Sequence, residues 1–220
     1  MSKDAQSTPI LIEVWADLVC PWCYIGKHRL EEAIRQRPDA DRFDVRMRAF
    51  QLQPDAPNEP QPLAEAFAAS LGDSEAVTQA ETRVANIAAA DGLAFSSDRV
   101  NANTFDFHRA AHYAQDHEKG TEFYSLVQDK FFAGEVNPFD TDQLVAVAEE
   151  AGIPGEQMRE VLATDACADD VRADENEAYQ LGVAGVPFAV FARQLAVSGA
   201  QPVETYAEIL DKTVELLGKG

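Results

Sequence analysis

The sequence predicts a protein of the α/β class, because strand patterns occur near both ends of its 220 residues and helical patterns fill the middle. Residues 10–16, ILIEVWA, have the length and the β-branched content of a short buried strand. Residues 43–51 alternate apolar and polar side chains, which is typical of a half-exposed strand. Residues 188–192 and 195–198 are two further short apolar runs near the C-terminus. We therefore expect one sheet whose strands come from the two ends of the chain.

Helical patterns account for most of the remaining residues. The first covers residues 21–37 and is ended by Pro38, which cannot continue a helix. The prolines of residues 54–62 predict a rigid connector, and the pattern is then helical over residues 63–181. A last amphipathic helix is predicted over residues 203–217. Glycines mark the expected helix ends in the long helical stretch, namely Gly92, Gly120, Gly134, Gly152 and Gly182.

The order of these elements predicts one α/β domain that is interrupted by an insertion. Residues 1–61 supply a strand–helix–strand unit, and residues 176–220 supply two strands and a helix. We expect residues 62–175 to form an all-helical insertion domain between these two halves.

The formal net charge of −20 bears on the kind of partner that the protein binds. Nucleic-acid binding needs a basic face that replaces phosphate counterions, so a nucleic-acid partner is not expected. An anionic membrane surface is disfavoured for the same reason. Because the acidic residues are spread along the helices, solubility is the simplest explanation of the charge, with a salt-rich habitat or a basic partner as alternatives. The sequence gives no indication of the oligomeric state.

The chain has the features of a cytoplasmic protein. The first nine residues, MSKDAQSTP, are polar and unlike a signal peptide. No stretch approaches the roughly 20 apolar residues that are needed to cross a bilayer. In a reducing cytosol a structural disulfide is unusual, so a close cysteine pair is more often catalytic, redox-sensing or metal-binding.

Cys20 and Cys23, in the motif C-P-W-C, form such a pair. A structural zinc site typically needs four ligands, and only Cys167 and four scattered histidines remain to complete one, so we predict no metal site. An incidental structural pair is a second interpretation. A redox couple is favoured by the strand–helix–strand context, in which a C-x-x-C motif is typical of a thioredoxin-like protein.

The position of the pair at the start of a helix also favours redox chemistry. If Pro21 occupies the first helical position, the Cys20 sulfur faces unpaired backbone N–H groups and the positive end of the helix dipole. These groups stabilise a thiolate, which is the nucleophile in disulfide exchange. Cys20 would then attack a substrate disulfide, and the more buried Cys23 would resolve the mixed disulfide. Trp22, between them, is expected to be exposed and able to stack on a substrate.

Val186 and Pro187 lie immediately before the first C-terminal strand. A proline at the first residue of a strand removes a ladder hydrogen bond, so it is expected either on an edge of the sheet or where it has a functional role. A cis Val186–Pro187 bond would leave the Val186 backbone free to pair with a substrate chain beside the sulfur. The residues alone leave the cis and trans forms open.

Four stretches of this chain together resemble the DsbA-like thioredoxin-fold oxidoreductases, and most of all their FrnE-type branch. They are VWADLVCPWCYIGKHRLEEAI at 14–34, FQLQPD at 50–55, NTFDFHRAAHYA at 103–114 and GVAGVPFAVFARQLAVSGAQP at 182–202.

The resemblance implies a thioredoxin-like fold with a helical insertion domain and a Cys20–Cys23 redox pair beside a cis Pro187. It further implies a thiol–disulfide oxidoreductase that acts on protein or low-molecular-weight disulfides. No cofactor is expected beyond a low-molecular-weight thiol as co-substrate. It also suggests that Asn103 and His108 face the active-site cleft.

Two alternative functions stay open. The same superfamily includes hydroxychromene-carboxylate isomerases and kappa-class glutathione transferases, which typically carry serine where this chain has Cys20 and act on small aromatic substrates with glutathione. A redox-regulated chaperone or binding protein with little turnover would keep the same fold.

Some FrnE-type proteins have a second cysteine pair late in the chain, whereas this chain has only Cys167, for which we expect a buried place in a helix. His108 and His112 are one helical turn apart, which suits a metal, but a structural or cleft-lining role is favoured.

Overall fold

The computed structural model describes residues 9–63, 65–66 and 74–219. Its strands are β1 (Ile10–Ala16), β2 (Phe43–Ala49), β3 (Gln61–Pro62), β4 (Val100–Asn101), β5 (Phe188–Phe191) and β6 (Leu195–Ser198). Its helices are α1 (Pro21–Arg35), α2 (Ser74–Ala90), α3 (Phe105–Asp116), α4 (Gly120–Ala133), α5 (Thr141–Glu150), α6 (Gly155–Ala163), α7 (Ala168–Gln180) and α8 (Val203–Leu217). Among these described helices none combines the length and the apolar character that crossing a membrane requires.

Strands from the two ends of the chain form one four-stranded sheet, as expected. The strand order is β2-β1-β5-β6. β1 and β2 run parallel, with Ile12 opposite Val45, and β5 runs antiparallel to β1, with Phe191 opposite Ile12. β1 is therefore a central strand, and nearly all of its side chains are buried. Three residues separate the end of this strand from Cys20.

One continuous core joins the sheet to the helical block. It includes Ile12 and Val14 of β1, Tyr24 of α1, and Phe107 and Phe132 of α3 and α4. The rings of Tyr24 and Phe132 are stacked, with centroids 4.4 Å apart. α1 also packs against α8, while α4 and α7 contact β2. The helix that carries the cysteine pair is thus held from both sides by apolar packing.

The helical block is not entirely helical, which corrects the prediction. β3 and β4 pair antiparallel, with Gln61 opposite Asn101 and Pro62 opposite Val100. Strands of two residues are too short to produce an alternating pattern, and both residues of β3 are exposed. The predicted helical pattern just after residue 63 falls mainly on residues 64 and 67–73, which lie outside the described residues.

Four of the five predicted helix-ending glycines end a helix, and one does not. Gly92, Gly134, Gly152 and Gly182 have φ between 71° and 83°, the left-handed region that favours glycine. Gly120 instead begins α4, because Glu118 takes the left-handed conformation and Lys119 is the N-cap residue.

Candidate active site

Cys20 lies between β1 and α1 as the N-cap residue of α1. Its backbone is extended, Pro21 occupies the start of the helix, and its sulfur accepts a hydrogen bond from the backbone N–H of Cys23 at 3.4 Å. Cys20 and Cys23 are free cysteines and are 4% and 1% exposed. Trp22, between them, is 41% exposed. The Cys20 sulfur thus occupies the position of a helix N-cap, where backbone donors stabilise negative charge.

The loop before β5 meets the cysteine pair. The Val186–Pro187 peptide bond is cis, and the carbonyl oxygen of Val186 lies 3.8 Å from the Cys20 sulfur. Gly26 of α1 allows this approach: a β-carbon there would lie 3.0 Å from Cγ of Pro187 and 3.3 Å from Cα of Ala200. The absence of a side chain at this one position lets α1 and the loop touch.

The surroundings make the two thiols unequal. Burial raises the pKa of Cys23 well above its ordinary value, and the hydrogen bond and charge of Cys20 act in the same direction. The negative charge of Asp17 also raises this pKa, while a hydrogen bond from the Asp17 backbone lowers it. Cys23 therefore holds its proton at neutral pH, and Cys20 is the thiol that sits at the helix end.

Asp17, three residues before Cys20, and His108 of α3 are both buried and contact each other. His108 is 1% exposed, so it does not line the open cleft that the resemblance suggested. Its Nε2 is 3.4 Å from Oδ1 of Asp17, which is also 1% exposed. The other Asp17 oxygen, Oδ2, accepts a hydrogen bond from the backbone N–H of Leu52 at 2.8 Å. The contact between Asp17 and His108 joins α3 of the helical block to the residues just before Cys20.

Asn103 holds the connector after β2 against the start of α3. Its Oδ1 accepts hydrogen bonds from the side chain of Gln51 and from the backbone N–H of Phe105, each at 2.9 Å. Its Nδ2 donates to the carbonyl of Pro54 at 2.7 Å. The amide is therefore engaged within the protein, and its contribution to the site is to fix residues 51–54.

His112 and Cys167 lie in other surroundings. His112 is hydrogen-bonded through Nε2 to Oδ2 of Asp174 at 2.8 Å, so the two histidines contact different carboxylates and do not form one metal site. Cys167 is half-buried and has a φ of 59°, as the N-cap residue before α7. The expectation of a buried place within a helix is wrong, because the chain turns at Cys167 before the helix begins.

Sequence reasoning missed Asp17, Gln51 and Glu175. Burial raises the pKa of Glu175 above its ordinary value, and the nearby His108 opposes this effect. The side-chain amide of Gln51 lies 3.2 Å from Oε1 of Glu175. Asp17 carried a signal, since it is an acid between a buried strand and the motif. Glu175 and Gln51 have no such signal in the sequence, because their neighbours come from distant parts of the chain.

An open groove begins at Leu52, the residue whose backbone binds Asp17. It has a volume of about 450 Å³, and its lining includes Leu52, Pro54, Pro57, Gln61 and Asn101. Leu52 is 45% exposed, and Oδ1 of the buried Asn101 has no hydrogen-bond partner among the described residues. The exposed Leu52 gives the groove an apolar edge, while Oδ1 of Asn101 is itself buried.

The chain is similar in sequence to known proteins. Residues 11–211 match the family model of the DSBA-like thioredoxin domain. The uncharacterized protein YwbO of Bacillus subtilis (strain 168) is 28% identical over 171 residues, which are 77% of this chain and 80% of that protein.

Two solved structures have the same fold. A probable DsbA oxidoreductase from Streptomyces coelicolor is 39% identical, with a TM-score of 0.87 over 94% of this chain and 90% of that one. A 2-hydroxychromene-2-carboxylate isomerase has a TM-score of 0.71 over 95% and 98% of the two chains at 13% identity, which is a likeness of fold. The match over nearly the whole chain shows that this protein belongs to the DSBA-like thioredoxin domain family.

Proposed function

We propose that the protein is a thiol–disulfide oxidoreductase that uses Cys20 and Cys23 as its redox couple. The observation that carries the proposal is the position of the Cys20 sulfur, which accepts the Cys23 N–H at 3.4 Å and lies 3.8 Å from the Val186 carbonyl. A helix N-terminus stabilises a thiolate, and thiolate is the attacking species in disulfide exchange.

In the proposed reaction Cys20 attacks one sulfur of a substrate disulfide and releases the other as a thiolate. Cys23 then attacks the Cys20 sulfur of the mixed disulfide, forms the Cys20–Cys23 disulfide and releases the second substrate thiolate. Two electrons pass from the cysteine pair to the substrate, and the reverse sequence oxidises a dithiol. The backbone of Val186, beside Cys20, is available to pair with an extended substrate chain.

We propose protein disulfides as the main substrate class. Trp22, between the two cysteines, is 41% exposed, and Leu52, whose backbone N–H binds Asp17, is 45% exposed at the edge of a groove of about 450 Å³. The block of residues 62–175 would then limit which chains reach Cys20. We also propose a cytoplasmic location, because Cys167 is the sole cysteine outside the pair and leaves no second disulfide to form.

Reduction of insulin by dithiothreitol, followed by turbidity, tests the proposal. We expect the wild-type protein to accelerate it, Cys20→Ser to reduce the rate to background and Cys167→Ser to leave it unchanged. Cys23→Ser should accumulate mixed disulfides with insulin chains, visible on a non-reducing gel. A Cys20→Ser protein that keeps its exchange activity would contradict the proposal.

The same variants separate the alternatives. Turnover of an aromatic substrate with glutathione by Cys20→Ser would favour the isomerase or transferase function. Suppression of client aggregation by a wild-type protein that does not accelerate insulin reduction would favour a redox-regulated chaperone.

A further inference from the structure

Gln51 links the connector after β2 to α7 through its side-chain amide. Its nitrogen donates to Oδ1 of Asn103 at 2.9 Å, and its oxygen lies 3.2 Å from Oε1 of Glu175. Both Gln51 and Glu175 are half-buried. The amide oxygen and an ionised carboxylate are both acceptors and would repel each other at this distance. Either the Gln51 amide is turned over, or the contact with Glu175 contains a proton.

The orientation of the Gln51 amide is fixed by Asn103. Oδ1 of Asn103 also accepts the backbone N–H of Phe105 at 2.9 Å, and its Nδ2 donates to the carbonyl of Pro54 at 2.7 Å. A turned-over Gln51 would place its oxygen 2.9 Å from the Asn103 oxygen. Turning Asn103 over as well would place its oxygen 2.7 Å from the Pro54 carbonyl. Each of these arrangements brings together two acceptors, neither of which can carry a proton.

The orientation present in the structure needs one proton, and Glu175 is the group that can carry it. A turned-over Gln51 would gain the Phe105 N–H at 3.2 Å, but that donor already has a shorter hydrogen bond to Asn103. A protonated Glu175 has an O–H donor in addition to its acceptor oxygen. When this O–H points to the Gln51 oxygen, the contact at 3.2 Å becomes a hydrogen bond.

We propose that Glu175 is a positioning residue of the active site, which as a neutral carboxylic acid donates to Oε1 of Gln51 and so holds the connector of residues 51–54. The inference rests on the proposed function. The hydrogen bonds then run in one direction, from Glu175 to Gln51, from Gln51 to Asn103, and from Asn103 to Pro54. Loss of the Glu175 proton makes the first contact repulsive, so the connector loses one of its attachments to α7.

The connector bears directly on the segment that leads to Cys20. The Leu52 N–H donates to Oδ2 of Asp17 at 2.8 Å, and the Asp17 carbonyl accepts the Cys20 N–H at 3.3 Å. Asp17 also acts on the pKa of Cys23, which its charge raises and its backbone hydrogen bond lowers. A displaced connector would therefore change the surroundings of both cysteines. The proton at Glu175 thus affects disulfide exchange without touching the substrate.

The groups that face Glu175 favour its protonated form. Burial is the largest effect on its pKa and raises it. The charge of His108, from α3, and a hydrogen bond from the Gln51 backbone lower this pKa. The charges of Asp17, from the β1–α1 connection, and of Asp174, its neighbour on α7, raise it. Together these effects leave the pKa of Glu175 above its ordinary value.

Carbon-13 NMR of labelled glutamate carboxyl groups follows the Glu175 proton directly, with the spectrum of Glu175→Gln assigning its resonance. We expect Gln51→Met to lower the proton affinity of Glu175 about two- to tenfold, the equivalent of one hydrogen bond, because the neutral acid loses its acceptor. Gln53→Met is the matched control and should leave that affinity unchanged, since the Gln53 oxygen accepts from Asn101 instead. An affinity that rises in Gln51→Met would show a turned-over amide donating to an ionised Glu175, and it would overturn the inference, as would an unchanged affinity.

Insulin reduction tests the positioning role. Glu175→Gln keeps an N–H donor to Gln51 at every pH, whereas Glu175→Met has none. As the pH rises through the Glu175 titration midpoint, the wild-type rate should fall about two- to tenfold relative to Glu175→Gln, and Glu175→Met should be slower than Glu175→Gln at every pH. A constant ratio of wild type to Glu175→Gln in an active protein would reject the positioning role alone. Absence of insulin reduction by the wild-type protein would instead reject the proposed function.

Discussion

Arg48 holds the sheet to α7, and its removal should destabilise the fold measurably. Its guanidinium donates to Glu13 Oε1 at 3.0 Å and to Asp174 Oδ1 at 2.9 Å. The side chains of Glu13 and Asp174 are 1% and 3% exposed. Arg48→Met keeps most of the aliphatic stem but leaves both carboxylates without this partner. Breaking a buried ion pair costs about 3–5 kcal/mol.

The other partners of the two carboxylates set the expected magnitude. In the variant Glu13 still accepts a hydrogen bond from Arg193 at 2.8 Å, and Asp174 still accepts one from the backbone N–H of Ala49 at 2.8 Å. We therefore expect the lower end of the range, about 3 kcal/mol. For a protein of this size each kcal/mol lowers Tm by about 2–4 °C, so Tm should fall by about 6–12 °C.

Urea unfolding followed by circular dichroism measures the effect. Arg46→Met is the matched control, because Arg46 lies on the same strand and its ion pair with Asp44 is exposed on both sides. It should cost less than about 0.5 kcal/mol. A loss below about 1 kcal/mol for Arg48→Met, or equal losses for both variants, would refute the claim that the buried pairs hold α7 in place.

Three further changes have outcomes that follow from single contacts. Gly26→Ala should cost about 1–3 kcal/mol in urea unfolding and slow insulin reduction, because the new methyl group meets Pro187 at 3.0 Å; an unchanged rate would show that the loop need not touch α1. Glu175→Gln should stabilise the protein at neutral pH and lose this advantage as the pH falls, because the raised pKa of Glu175 makes its ionised form unfavourable in the fold. A constant difference across pH would contradict that assignment. Burial is the largest single effect on Asp129 and raises its pKa. The hydrogen bonds and charges of His28 and Lys27 lower it by more in sum, so the pKa of Asp129 is lowered. Asp129→Asn should therefore lose stability above about pH 4, and the deficit should shrink as wild-type Asp129 becomes protonated at lower pH; a deficit that grows on acidification would refute the pairing.

The local chemistry of the motif was predictable from sequence because neighbouring residues create it. Pro21 after Cys20 identifies the start of a helix, and the strand before Cys20 fixes the direction from which the chain enters that helix. The exposure of Trp22 and the greater burial of Cys23 follow from the same helical geometry. The sheet could be predicted for a related reason, since its strands carry their own patterns of β-branched and alternating residues.

The buried surroundings of the motif could not be predicted in the same way. Asp17 and His108 are far apart in the chain, and their contact at 3.4 Å depends on how α3 packs against the sheet. The spacing of His108 and His112 reveals a shared helix face but not that each meets a different carboxylate. No periodicity reports the pairing of β3 with β4, because each strand has two residues.

The central claim is that Cys20 and Cys23 form a reversible redox couple, and its reduction potential tests this most directly. The protein is equilibrated in glutathione buffers of graded ratio, quenched with an alkylating reagent, and mapped by peptide mass. We predict one two-electron transition, with the Cys20–Cys23 disulfide as its oxidised form and a potential between about −270 and −120 mV. Cys167 should remain alkylated as a free thiol throughout. Cysteines 20 and 23 that stay alkylated in fully oxidising buffer, or that form only mixed disulfides with glutathione, would contradict the account.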